Sequence, residues 1–484
     1  MEVRGSTVPP AEAVAGNTLL ARVRSQLAQI PLMGWLLGAL LATVIEQAVG
    51  DPLAQALGLE GIPGLFGLRI VLTPLFDILR LSLSWLLLGI RSIEFELSGL
   101  VSDLSTIPPD LALIPSAVAY VLLVYALPIL VVARLSAPLA NRLAKQLLDR
   151  FPLWVPLILH LALLYATLHL WGGINEYRVL ILKFIFISII LTLSLNLVNG
   201  YMGEFSCSHP GFMALGPYAA SVLTVLLFVN DDVFGAPLLP PALGPFLFPL
   251  ALIAGGLVAS VGALVVAIPS FRTRGDYLAI ISLAFMFIVK SLIENLEIIG
   301  GPRGFMNQPK WADLPTLFVW TAICVWIIYN FTRSTIGKAP CAVRDDEIAA
   351  GAMTINTRRT KMVTFLFGAF WAGVAGGLFA HVMGYINPGT FGVLKLSEIL
   401  AMVYLGGLNS VVGSIAGAVG LQVLMEVLRP LELWKWIVIP ILLIVLMIRR
   451  PTGLIAFTEV NIKELLQPRQ ILRRSSVQVP GKER

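Results

Sequence analysis

The sequence predicts an all-α integral membrane protein, a polytopic helical bundle of about twelve membrane segments with broken or re-entrant helices. Hydrophobic residues make up 57% of the 484 residues, and charged residues only 13%. Apolar runs of about 20 residues, enough for a helix to span a bilayer, recur along the chain. Several runs contain glycine, proline or asparagine, which at membrane depth need neighbouring protein or water to satisfy freed backbone groups.

Residues 1–175 are predicted to be an N-terminal tail and extension with about four membrane segments. Residues 18–30, before the first of these segments, predict an amphipathic interfacial helix. The predicted segments lie at 31–49, 67–90, 113–134 and 152–173. Glu46 lies near the end of the first segment and is expected to reach the interface. Asp77 and Arg80 are three residues apart and predict an ion pair on one helix face. The basic linker between the last two segments is predicted to be cytoplasmic.

Residues 176–457 differ in composition and are predicted to form a second domain, followed by a basic cytoplasmic tail at 458–484. Spans are predicted at 178–198, 246–268, 277–299, 314–331 and 362–383. Residues 199–218 predict a broken or re-entrant segment because glycine and proline interrupt them. Arg272 and Arg274 indicate a cytoplasmic loop. Charge parity requires an odd number of crossings within 396–448.

One polar segment, residues 333–361, separates two long apolar runs. Its basic excess predicts a cytoplasmic position. Asp345–Met353 predicts a short helix with acidic residues at its positive end. Its small apolar face consists of Ile348, Ala349 and Ala352. So short a helix is not stable alone in water, so we expect it to pack against this chain or a partner. An ordinary solvated loop is the alternative interpretation.

Several classes of chemistry find little support in the sequence. Gly337-Lys338 lacks the upstream glycine of a nucleotide-binding loop. The three cysteines have no paired spacing, which argues against a disulfide framework or a metal site. The net charge of +6 gathers in loops and at the C-terminus, so it does not indicate nucleic-acid binding. Ser206 lacks the following glycine of a hydrolase elbow. Few carboxylates lie mid-membrane, which disfavours a proton-coupled carrier.

Four stretches in order resemble one known family. They lie at 195–221, 272–289, 343–380 and 404–420. The chain from 178 to 457 resembles the branched-chain amino-acid ABC transporter permeases, and in particular the second of the two permease chains of such importers. Urea permease relatives share this family.

The resemblance implies that the third stretch holds the helix that couples the permease to its ATPase. Glu347, Ala349 and Ala350 match the core of that motif, and a glycine is expected where this chain has Thr354. The implied ATPase-coupling loop consists of Arg344, Asp345, Asp346, Glu347, Ala349, Ala350 and Thr354.

A translocation path for a zwitterion is expected to use backbone N–H groups at broken helix ends. Its candidate residues are Asn196, Asn199, Gly200, Gly203, Gly211, Gly216, Tyr218 and Tyr277. Close helix packing is the alternative explanation for each of these glycines. The resemblance implies branched-chain or other neutral amino acids as substrates, with urea or short amides as the alternative. An ion-coupled secondary carrier is the alternative from another class.

The resemblance also implies the partners. They are a second permease subunit, two ATP-binding cassette ATPases, a periplasmic substrate-binding protein and the lipid bilayer. We expect the chain to be no enzyme, with no cofactor of its own, because ATP and Mg would bind the partner ATPases. The expected location is the bacterial inner membrane, crossed many times.

Overall fold

The computed structural model describes residues 30–59, 61–63, 113–231, 233–271, 277–429 and 435–449, together with 453, 455 and 466. Every regular element in this part of the chain is helical. The predicted segment 67–90 with Asp77 and Arg80, and the loop with Arg272 and Arg274, lie outside the described residues. So do the predicted N-terminal tail, the predicted interfacial helix at 18–30 except Ile30 and, apart from Leu466, the basic tail.

The described helices fall into two compact units, the first of which ends at Trp171 and the second of which begins at Gly172. The first unit contains α1 (Leu32–Ala56), α2 (Leu113–Arg150) and most of α3 (Trp154–Gly173). A π turn, Leu122–Ala126, interrupts α2. This helix continues through the stretch that the sequence predicted as a basic linker.

Glu46 was expected to reach the membrane interface. In the structure it is completely buried on α1. The hydroxyl of Tyr125 donates a hydrogen bond to its carboxylate. Trp171 Nε1 in turn donates to the Tyr125 oxygen over 3.2 Å. A buried carboxylate needs such donors, since an unpaired charge in an apolar environment is very costly.

The second unit begins with long helices. These are α4 (Glu176–Asn196), which ends in a π turn at Leu197–Tyr201, α5 (His209–Phe228), α6 (Gly244–Ser270), α7 (Tyr277–Glu294) and α8 (Leu314–Arg333). Two short helices follow, α9 (Thr335–Asp345) and α10 (Glu347–Ala352). The unit continues with α11 (Thr357–Met383), α12 (Val393–Gly406), α13 (Val411–Val427) and α14 (Lys435–Arg449).

Nine helices in the described part of the chain, α1 to α8 and α11, are long and apolar enough to cross a membrane. The predicted interruption at 199–218 is divided between the π turn, a short irregular stretch and the first half of α5.

Backbone contacts at glycine hold α5, α6 and α11 together. A Cβ on Gly216 of α5 would overlap the backbone of Gly373 on α11. A Cβ on Gly255 of α6 would lie 2.7 Å from the carbonyl oxygen of Gly216. Such approaches are possible only without side chains, and they maximise van der Waals contact where lipid removes the hydrophobic driving force.

Candidate functional site

The polar segment 333–361 forms α9 and α10 between the long helices α8 and α11. Polar side chains begin each helix. Ser334 accepts a hydrogen bond from Gly337 N over 3.1 Å at the start of α9. Asp346 accepts from Ile348 N and Ala349 N, both over 2.9 Å, at the start of α10. Asn356 accepts from Arg359 N over 2.9 Å at the start of α11. These caps satisfy backbone donors that have no partner within the helix.

The predicted helix Asp345–Met353 begins later than expected. Asp345 is the last residue of α9, and its carboxylate contacts Arg344 Nη2 at 2.7 Å. Asp346 has extended backbone and caps α10, which begins at Glu347. The difference arises because an aspartate side chain that bonds the next backbone donors ends one helix and starts another.

Most apolar side chains on and directly after α10 are exposed. Ile348 is 86% exposed, and Met353, directly after the helix, is 75% exposed. Ala349 is exposed beside them, whereas Ala350 is buried against the protein. The segment therefore presents an apolar patch, defined by Ile348, Ala349 and Met353, on an otherwise charged surface. An exposed patch with a polar rim is typical of a protein interaction site.

Thr354 has a φ of +68°, in the left-handed region that favours glycine. Ile355 N donates to Ala350 O over 3.1 Å, the bond that closes a helix with a left-handed residue after its end. This conformation explains physically why a glycine was expected at this position. The turn keeps its shape here with a strained β-branched residue.

Lys361 connects three parts of the second unit. Its Nζ lies 2.6 Å from Glu204 Oε1, in the connection between α4 and α5, and 2.9 Å from Glu347 Oε2 on α10. The Lys361 side chain is 13% exposed, so its ammonium group faces protein carboxylates more than solvent.

Arg344 makes a second connection to the same region. Its Nη1 donates to the carbonyl oxygen of Gly200 over 3.2 Å. Gly203 has a φ of +76°, and a Cβ there would overlap the Arg344 side chain. Gly200 and Gly203, predicted for the translocation path, thus contact the polar segment.

The two predicted asparagines fasten the end of α4. Asn196 Nδ2 donates to Ser414 Oγ over 2.7 Å and to Ser410 O over 3.2 Å, and its Oδ1 accepts from Asn409 N over 3.3 Å. Asn199 Oδ1 accepts from Ser206 N over 3.2 Å. Their hydrogen bonds join α4 to the start of α13 and to the stretch before α5.

The other four candidates lie elsewhere. Gly211 faces α7, where a Cβ would lie 3.3 Å from Met286 Cα, and Gly216 packs against Gly373. Tyr218 is buried in α5, and Tyr277 at the start of α7 is 58% exposed. The eight candidates therefore occupy separate environments, and their role in translocation stays a prediction.

A polar cluster that we did not predict lies between α4, α12 and α13. Gln422 Nε2 donates to Ser188 Oγ over 2.7 Å and to Glu398 Oε1 over 2.9 Å. Lys395 Nζ bonds Glu398 Oε2 over 2.9 Å, with both side chains less than 15% exposed. Glu398 also lines a largely apolar cavity of about 260 Å³. A Lys-x-x-Glu pair inside an apolar run was the available sequence signal.

Residues 177–448, more than half of the chain, match the family described as branched-chain amino acid transport system / permease component. The chain is 31% identical to the high-affinity branched-chain amino acid transport system permease protein LivM of Escherichia coli. That match covers 57% of this chain and 69% of the relative.

More distant similarities point the same way. The chain is 26% identical to the corresponding LivH protein of Salmonella typhimurium, over 56% of this chain and 92% of the relative. It is also 29% identical to the autoinducer 2 import system permease protein LsrC of an Enterobacter species, over 31% of this chain and 43% of the relative. No solved structure matches the chain.

Proposed function

The chain belongs to the branched-chain amino acid transport permease family, and we propose that it imports branched-chain or other neutral amino acids as one subunit of an ABC transporter. It is a multi-pass protein of the bacterial inner membrane. The proposed transporter contains this chain, a second permease subunit, two ATPase chains that hold ATP and Mg, and a periplasmic binding protein that delivers the substrate.

The observation that carries this proposal is the apolar patch on α10. Ile348 is 86% exposed on α10, and Met353, directly after this helix, is 75% exposed. The cap by Asp346 and the ion pair of Glu347 with Lys361 hold α10 in place. An ordinary solvated loop does not need exposed apolar side chains at fixed positions. In the proposal, the patch enters a groove on an ATPase chain, and ATP-driven closure of the ATPases moves α10.

A substrate that carries an ammonium group is favoured by Glu398, whose side chain lines the largely apolar cavity at α12 and is paired with Lys395. This carboxylate can attract the ammonium group of an amino acid, and the apolar cavity wall suits an aliphatic side chain. Neutral urea has no need of this charge. None of the relatives supports the ion-coupled carrier.

We also propose about twelve membrane segments, with α12 to α14 among them, and a broken segment at 199–218.

The test is purification of the complex from native membranes, followed by an ATPase assay with branched-chain amino acids, urea and short amides. We expect two ATPase chains and a second permease to accompany this chain. ATP hydrolysis should rise with binding protein and leucine. A stimulation by urea or amides alone would contradict the substrate, and a chain that purifies alone would contradict the function.

Ile348→Asp is the matching variant, because it places a charge in the apolar patch without touching the packed residue Ala350. Loss of a central interface anchor costs about 2 kcal/mol or more, so we expect the recovered ATPase to fall at least tenfold. Ile298→Asp is the control, since Ile298 is also well exposed on a short helix but lies outside the polar segment. Equal recovery in the two variants would refute docking through α10.

A further inference from the structure

Three charged side chains far apart in sequence meet beside α10. Lys361, in the second turn of α11, contacts Glu204 at 2.6 Å and Glu347 at 2.9 Å. Glu204 is a quarter exposed and Glu347 half exposed, whereas Lys361 is more deeply buried than either. We call these three residues the ion triad.

Lys361 differs from a lysine that only anchors a helix to lipid headgroups. A lysine that anchors a helix at the interface extends its ammonium toward water or phosphate. Lys361 instead directs its ammonium at two protein carboxylates on different segments. Charge-assisted bonds of this length are among the stronger polar contacts of proteins.

The Arg344 contact reinforces the same junction. Arg344, in the last turn of α9 and two residues before the cap Asp346, donates to Gly200 O, and its side chain lies against Gly203. The ion triad and Arg344 therefore attach both sides of α10 to one short stretch, residues 200–204, at the end of α4.

From this stretch the chain leads directly into the packed core. Ser206 N donates to Asn199 Oδ1 over 3.2 Å. Cys207 N is also held in place, because it donates to Ser282 Oγ on α7 over 2.9 Å. Helix α5 then begins at His209 and packs on α6 and α11 through backbone contacts at glycine. Helix α4 precedes residues 200–204 and helix α5 follows them, so a displacement of this stretch acts on both helices.

We propose that Lys361 is a positioning residue that transmits movement of α10 to residues 200–204, and through them to α4 and α5. This inference rests on the proposed docking of an ATPase on α10. The covalent link from α10 to α11 is a capped turn with Thr354 in a left-handed conformation. That turn leads only to α11. The ion triad and Arg344 supply the direct contacts from α9, α10 and α11 to residues 200–204, which join α4 to α5.

The experiment compares Lys361→Met, Lys361→Arg and wild type in the complete complex, reconstituted in liposomes with binding protein and labelled leucine. Leucine uptake and ATP hydrolysis are measured in the same vesicles. Networks that link two sites change their coupling by about 0.5–2 kcal/mol, which corresponds to roughly two- to thirtyfold. We therefore expect Lys361→Met to lower the leucine moved per ATP by roughly two- to thirtyfold, with the ATPase chains still bound.

Lys361→Arg keeps the positive charge and both possible bonds, so we expect leucine moved per ATP within about twofold of wild type. Lys290→Met is the control, because it breaks a lysine–glutamate contact of 3.8 Å on α7 away from the polar segment. It should leave the ratio unchanged.

Two results would overturn the inference. One is a Lys361→Met complex that moves as much leucine per ATP as wild type. The other is loss of the ATPase chains together with transport, which would make Lys361 part of docking or folding. Failure of the proposed function gives a different result, since wild type itself would then retain no ATPase chains and Ile348→Asp would change nothing.

Discussion

The interface of α5, α6 and α11 and the surroundings of α10 use opposite kinds of contact. In the first, backbones touch at Gly216, Gly255 and Gly373, and no side chain separates them. In the second, long side chains such as Lys361 and Arg344 reach across space to carboxylates and a carbonyl oxygen. Most of α5 and α11 is buried, whereas α10 is exposed apart from Ala350.

The difference shows how each region tolerates movement. Backbone contacts at glycine are lost as soon as two helices separate by a fraction of an ångström, so they favour one arrangement or a discrete alternative. Ion pairs between long side chains are not lost over such small separations, so α10 and residues 200–204 stay joined while they move. A rigid interface beside an attachment that persists during movement suits the proposed role, in which the motion of an ATPase partner rearranges the helices.

The largest effect is expected for Gly216→Ala, which places a methyl group against the Gly373 backbone. Overpacking of this kind costs about 1–3 kcal/mol, and backbone atoms cannot turn aside as side chains can. We expect a lower unfolding temperature in detergent and less monodisperse protein. Gly420→Ala on α13 is the matched control, because a Cβ there meets nothing closer than 3.6 Å. Equal stability of both variants would remove the contrast between the two regions.

A smaller effect is expected for Asp346→Ala, which removes the two bonds that cap α10. Loss of such a cap costs about 1 kcal/mol, so the exposed helix should open about fivefold more often. Amide hydrogen exchange at 347–352 measures this, with the long helices unchanged. Asp345→Ala removes only a contact with Arg344 at the surface and should change the exchange much less. If both variants exchanged alike, the cap would have no special part in ordering α10.

The smallest effect is expected for Thr354→Gly, which relieves the left-handed backbone after α10. The relief of about 1–2 kcal/mol is partly offset by the greater freedom of glycine in the unfolded chain, so a net gain below about 1 kcal/mol remains. Slower exchange of the Ile355 amide would report it. Thr354→Ala should not reproduce the gain, because alanine keeps the strain. A faster exchange in Thr354→Gly would show that threonine suits this turn better than the φ angle suggests.

Much of the fold was predictable because hydrophobic length is a local property. The apolar runs at 178–198, 314–331 and 362–383 correspond closely to α4, α8 and α11. The basic stretch after 134 was predicted as a cytoplasmic linker outside the membrane segments, and α2 continues through it to Arg150. Charge indicated that the linker meets water, but water exposure does not end a helix.

The candidate site was predictable in place but not in detail. Composition identified 333–361 as the polar segment, and the resemblance assigned Glu347, Ala349 and Ala350 to one motif. The structure separates these three, since Ala350 packs inward while Glu347 pairs with Lys361. Which side of a six-residue helix faces the protein depends on its neighbours, and so short a helix has too few residues for a periodic signal.

By itself the sequence determined that this is a helical membrane protein, that one polar segment interrupts its apolar runs, and that its second half resembles transport permeases. The tertiary structure alone decided that Glu46 is buried, that Gly200 and Gly203 face Arg344, and that Lys361 joins Glu204 to Glu347. The reason is physical. Membrane insertion and helix formation follow from side chains close together in sequence, whereas an ion pair between residues 204 and 361 exists only once the intervening helices have packed.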